Sequence, residues 1–293
     1  MSQLPLGMIV AGAVVLLAGL FLVRKRFAVA SGAGKLLVLG PVFEAVALAI
    51  FAAEHFLDAR DLANGVPRWL PGPLFWAYFV GVALLAAAVS FITWRCVRWS
   101  ASLLTLLFVI IVATIHVPNL AAHLHERLFW TLVVRESAFA GGAMVLAGSQ
   151  WPRGGPAGSA LMILGRFIVA LTCIFYAIQH FLFPLFVPGV PLGKMTPSWV
   201  PAPAMLAYFV GAMLLAAGIG LMIQRTRRVA AASAGTVLVL LVIFFYIPIL
   251  ALEIYTPLAV EGVNYVGDTL LFAATVLLAG FGPDRRDNFS AAS

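Results

Sequence analysis

Apolar residues fall into nine long blocks, approximately 5–23, 36–57, 74–94, 101–121, 128–148, 161–183, 203–223, 230–252 and 263–281, with short polar stretches between them. Each block has about the 20 residues that a helix needs to cross a hydrocarbon layer. The blocks are too long for buried strands and lack the alternation of a membrane barrel. The pattern predicts an all-α polytopic membrane helical bundle of nine transmembrane helices. No positive residue precedes the first block, and Arg24, Lys25 and Arg26 follow it. A cleavable signal has the opposite flanks, so this block reads as a retained helix.

The blocks also repeat. "AEHF" at Ala53–Phe56 returns as "IQHF" at Ile178–Phe181, and "WLP" at 69–71 as "WVP" at 199–201. "AYFVGVALLAAA" from Ala77 returns as "AYFVGAMLLAAG" from Ala207, and "IHVPNL" from Ile115 as "FYIPIL" from Phe245. "VVRESAFAGGAMVLAG" from Val133 pairs with "YVGDTLLFAATVLLAG" from Tyr265. The offsets are 125, 130, 130, 130 and 132, in unbroken order. The chain is therefore expected to hold two parallel four-helix units, 36–148 and 161–281. An N-terminal helix and basic loop (1–35) precede them, and a tail (282–293) follows. An even helix number gives both units one orientation, hence a pseudo-twofold axis along the membrane normal.

Composition supports the membrane reading and removes other classes. Charged residues are 10% of the chain against roughly 25% in soluble domains. Counting Lys and Arg in alternate loops places twelve on one side: Arg24, Lys25, Arg26, Lys35, Arg95, Arg98, Arg153, Arg225, Arg227, Arg228, Arg285 and Arg286. Five lie on the other: Arg60, Arg68, Arg127, Arg135 and Lys194. The positive-inside rule then predicts an N-terminus outside and a cytoplasmic C-terminus, in a bacterial inner membrane. The net charge of +7 is thus an orientation signal, and no nucleic-acid partner is implied. Most acidic residues gather toward the outer face, with Glu44 inside a helix and Asp284 and Asp287 in the tail as exceptions.

Helical spacing puts Glu44, Leu48, Phe51 and His55 on one face, and Val169, Cys173, Tyr176 and His180 on the equivalent face. Polar residues in spanning helices usually turn inward. A first outer pocket is expected from His55, His116, Asn119 and Glu136, with Glu54 and His123 at its mouth. A second is expected from Tyr176, His180, Tyr246, Glu253 and Asp268. Pro118 and Pro248 follow His116 and Tyr246 and should disturb their helices. Arg135 adjoins Glu136, but helix neighbours diverge, so no pair between them follows. Glu44 and Arg166 lie deep in equivalent helices; either they pair across the pseudo-twofold axis, or Glu44 stands alone as a neutral acid.

Chemistry is narrowed by what is missing. Cys96 and Cys173 differ too much in depth for a disulfide, and no C-x-x-C, phosphate-binding loop or H-E-x-x-H occurs. Haem on His55 and His116 is disfavoured by their different depths and by Tyr246 in the second unit. A metal on His55, His116 and Glu136 has suitable donors but no tight spacing signature. A quinone headgroup fits better, needing an apolar approach, hydrogen-bond donors and a proton acceptor. The units, with "EHF", Trp-Leu-Pro or Trp-Val-Pro, "YFVG" and "HVP", resemble the DoxX-like membrane proteins. That resemblance implies the four-helix fold and an association with quinol and sulfur oxidation in membrane oxidoreductase complexes; it implies no catalytic residue. The expected partners are the lipid bilayer, a lipophilic small molecule and a redox enzyme. The alternative is a non-catalytic membrane scaffold or carrier for a lipophilic small molecule.

Overall fold

The computed structural model describes residues 3–152 and 155–282. Arg153 and the tail residues Asp284, Arg285, Arg286 and Asp287 lie outside them. Among the described residues are nine long apolar helices: α1 (Gln3–Val29), α2 (Gly34–Leu57), α3 (Pro73–Thr93), α4 (Val97–Ala122), α5 (Arg127–Ser149), α6 (Pro156–Leu182), α7 (Pro203–Met222), α8 (Arg227–Glu253) and α9 (Ala259–Ala279). No strand is formed among these residues; one isolated bridge joins Phe186 and Met195. The chain is an all-α bundle of multi-pass membrane type. Proline starts α3, α6 and α7, where its missing N–H costs nothing.

The architecture follows the repeat. α2, α5, α6 and α9 form the centre, and the first helix of each repeat lies against the last helix of the other. α3 and α4 flank one side and α7 and α8 the other, while α1 rides on α2. Every residue of α9 from Thr269 to Ala279 is buried. The outer helices instead present Val14, Leu17, Phe75, Val82, Met205 and Phe209 outward, a surface suited to a hydrocarbon solvent.

Both third helices of the repeats are broken in the same way. α4 widens into a π turn over Val112–His116 and α8 over Val242–Tyr246. Val117 and Ile247 bond back five residues, to Val112 and Val242. Pro118 and Pro248 follow directly. A proline ring clashes with the carbonyl four residues earlier, and one extra residue in the turn relieves that clash. The π turn re-aims His116 and Tyr246, the residues that matter for the site.

Candidate functional site

The two repeats build one scaffold twice. At the end of α2, His55 Nδ1 donates to the Phe51 carbonyl (2.8 Å). At the end of α6, His180 Nδ1 donates to the Tyr176 carbonyl (2.5 Å). A carbonyl only accepts, so each imidazole carries its proton on Nδ1 and offers an Nε2 lone pair. A methyl built on Gly81 would lie 2.9 Å from His55 Cβ, and one on Gly211 3.0 Å from His180 Cβ. Phe56 stacks on Tyr78 at 6.4 Å, and Phe181 on Tyr208 at 6.3 Å.

The second expected pocket is filled by the chain itself. The 183–202 connection folds into the bundle, burying Val187 and Val190 completely. Gly189 N–H donates to His180 Nε2 (2.9 Å), and Tyr246 Oη donates to the Pro188 carbonyl (2.6 Å). Gly189 has φ +97°, a conformation that residues with side chains rarely adopt. The loop is latched from both halves. Arg127 of α5 donates to the Pro191 and Leu192 carbonyls at 2.5 and 2.6 Å, and Lys194 pairs with Glu253 at 2.8 Å. Glu253 is thus part of the latch.

The first half lacks such a plug. Its 58–72 connection forms a short helix, Ala59–Leu62, that lies along α3. His55 Nε2 and the ring of His116 form no hydrogen bond with the described residues, and both side chains are half-buried. Asn119 departs from its expected place: it is exposed, beyond the π turn that rotates the end of α4. Its carbonyl accepts from His123 Nδ1 (2.9 Å), and exposed His123 stacks on Phe129 at 4.3 Å. Neither belongs to the site.

Between the halves lies an ionic cluster that the spacing argument missed. Arg135 donates to Asp268 Oδ2 at 2.7 Å and to Glu136 Oε1 at 2.8 Å. The three side chains are only 15, 7 and 11% exposed. Glu136 and Asp268 occupy matching positions in the two repeats, so one guanidinium bridges a pseudo-symmetric carboxylate pair. Sequence neighbours on a helix do diverge, but the long Arg135 side chain folds back to reach Glu136. Glu54 stands nearby and accepts from Asn264 Nδ2 (2.8 Å). His116 and the buried, unpartnered hydroxyl of Tyr176 lie within electrostatic reach of Arg135. Glu136 Oε1 is therefore engaged by Arg135, which ties this expected pocket residue to the ionic cluster.

Glu44 and Arg166 do not pair. Arg166 donates to the Ala279 and Phe281 carbonyls at 2.9 and 2.6 Å, capping the end of α9. Glu44 is fully buried, and neither carboxyl oxygen has a hydrogen-bond partner. An arginine near a helix C-terminus finds carbonyl acceptors locally, and these outcompete a carboxyl in another helix. An unmatched buried polar group costs about 1–3 kcal/mol. Glu44→Leu, similar in bulk, is therefore expected to raise the melting temperature of the purified protein. A lower value would mean that the carboxyl has a partner of its own.

The family described as "Domain of unknown function (DUF8561)" matches residues 45–137, which contain His55, His116, Arg135 and Glu136. No curated protein and no solved structure matches the chain significantly.

Proposed function

We propose that this is a membrane component of a redox system that binds a quinone or quinol at the outer end of its first half. His55 and His116 hold the headgroup, and the Arg135 cluster stands behind them. The supporting observation is the contrast between the repeats. His180 and Tyr246 converge on one peptide unit, Pro188–Gly189. Their counterparts are built on the same scaffold: His55 Nδ1 donates to the Phe51 carbonyl, while His55 Nε2 and both ring nitrogens of His116 have no hydrogen bond among the described residues. A half-buried, aromatic-flanked pair of imidazoles suits the polar head of a lipophile delivered from the bilayer. The resemblance to DoxX-like proteins points the same way, and the distribution of Lys and Arg supports a site on the outer side. A carrier would need a passage between the halves. Against that, α5 and α9 touch at Gly142, where a methyl would lie 2.9 Å from Thr275 Oγ1.

Binding to the native state raises stability by mass action, about 2.7 kcal/mol at a hundredfold excess over Kd. A decyl-substituted benzoquinone, or its quinol under anaerobic reduction, is expected to raise the melting temperature of the detergent-purified protein. His116→Ala is expected to remove that shift. No response to either form at saturating dose would sink the reading.

A further inference from the structure

We infer that residues Pro188 and Gly189 act as a built-in ligand for the second half, and that their hydrogen-bond pattern identifies the first half's ligand as the reduced, hydroxylated form of a quinone. The inference rests on the proposal that the first half takes a quinone-type lipophile. It adds which redox form is held, by which atoms, and at what stoichiometry.

Two polar side chains of the second half meet the peptide unit from opposite senses. Tyr246 donates to its carbonyl oxygen and His180 Nε2 accepts from its N–H. That peptide is fixed in place by the left-handed Gly189, by burial of Val187 and Val190, and by the Arg127 and Lys194 latches. His180, Tyr246 and the Pro188–Gly189 peptide are matched to one another, so these two side chains have no capacity left for a ligand headgroup.

The first half repeats the arrangement without the peptide. His55 is locked into the same tautomer as His180, because Phe51 offers its ring only an acceptor. Its Nε2 is therefore an acceptor as well, and it needs a donor from the ligand. His116 replaces Tyr246 as the group that donates to a ligand acceptor. An imidazole reaches less far from the backbone than a phenol, so a ligand bonded to His116 must extend further toward it than the Pro188 carbonyl does toward Tyr246. A hydroquinone ring meets both hydrogen-bond conditions, with a hydroxyl that donates to His55 and an oxygen that accepts from His116, on a planar body larger than a peptide unit. An oxidised quinone carries only acceptors. Its carbonyl would face the His55 lone pair, leaving two buried acceptors opposed.

The experiment is calorimetric titration of the full chain in lipid nanodiscs, under anaerobic conditions, with a decyl-substituted benzoquinol and with the matching benzoquinone. The quinol is expected to bind at one molecule per chain and about tenfold or more tighter than the quinone. Two substitutions separate the halves. His55→Leu is expected to abolish quinol binding with little change in melting temperature. His180→Leu is expected to keep binding at one per chain and lower the melting temperature by a few degrees, because it strands the buried Gly189 N–H. Equal affinity for both forms would overturn the donor assignment while leaving the proposed function standing. Two molecules per chain would overturn the role of the Pro188–Gly189 peptide. Absence of binding by either form would reject the proposed function itself. The ratio and the stoichiometry need no variant, so a misfolded substitution leaves the test intact.

Discussion

Arg135→Leu is expected to be the most damaging single substitution at the seam, costing about 3–5 kcal/mol, the usual result of removing one partner from a buried ion pair. Arg135 is the only guanidinium hydrogen-bonded to Glu136 and Asp268 among the described residues. Without it, two carboxylates from opposite halves face each other in a region largely closed to water. Net stabilities of about 5–15 kcal/mol leave little margin for such a loss. The measurable outcome is a sharp drop in the yield of monodisperse protein and in its melting temperature. A combined Arg135→Leu, Glu136→Leu and Asp268→Val variant should recover most of the loss, because well-packed apolar groups can replace a buried ionic network at no net cost. If Arg135→Leu melts with the unmodified protein, the cluster is well hydrated and the account of it fails. A stable triple variant that no longer responds to the quinone analogue would show that the cluster serves binding beyond holding the halves together.

Much of this molecule is written in its hydropathy pattern, because in lipid the backbone must satisfy itself and long apolar blocks have no choice but to be helices. The segments that repeat in the sequence carry like local structure: His55 and His180 each bond the carbonyl four residues back, Phe56–Tyr78 and Phe181–Tyr208 stack alike, and both Pro-containing stretches open into π turns. Arg135 was not legible as a site residue. Near the end of an apolar block it reads as one more charge in the orientation count. The missed signal was its repeat partner, since position 135 aligns with Gly267. A methyl there would lie 3.0 Å from the Phe51 ring, and Phe51 itself aligns with Tyr176. The cluster is thus asymmetric by substitution at two matched positions. The plug was hidden for another reason. Loops are expected at the surface, yet "VPGVPLG" at 187–193 is apolar enough to be buried once its peptide groups find partners, and those partners come from three different helices. Asn119 is misplaced by the sequence because Pro118 signals a disturbed helix but not the extra residue in the turn, and the π turn over Val112–His116 shifts everything beyond it.

Gly165→Ala is expected to be the second severe change, although it adds one methyl group. A Cβ at Gly165 would sit 2.4 Å from the Gly141 carbonyl oxygen, and one at Gly141 would sit 2.8 Å from the Gly165 carbonyl oxygen. Seven residues along each helix the contact recurs: a Cβ at Gly148 would lie 2.6 Å from the Gly158 oxygen. α5 and α6 therefore touch backbone to backbone at two levels. In a bilayer, where apolar side chains gain nothing over lipid tails, small residues at such seams supply the close packing that holds helices together. The obstacle at Gly165 is a main-chain oxygen, so no rotamer change relieves it and the helices must separate. The cost should reach the upper part of the 1–3 kcal/mol range for overpacked cores, or exceed it. Separation also carries functional weight. Arg135 lies six residues from Gly141, about 9 Å along α5, and Tyr176 lies eleven residues beyond Gly165 on α6. Widening the seam moves the guanidinium away from the other half, so the melting temperature and the quinone response should fall together. Gly193→Ala is the control: no atom lies within 4 Å of its Cβ position, and the change should stay within about 0.5 kcal/mol. If Gly165→Ala behaves like Gly193→Ala, the α5–α6 seam is looser than this packing requires, and it cannot be what fixes Arg135 between the two carboxylates.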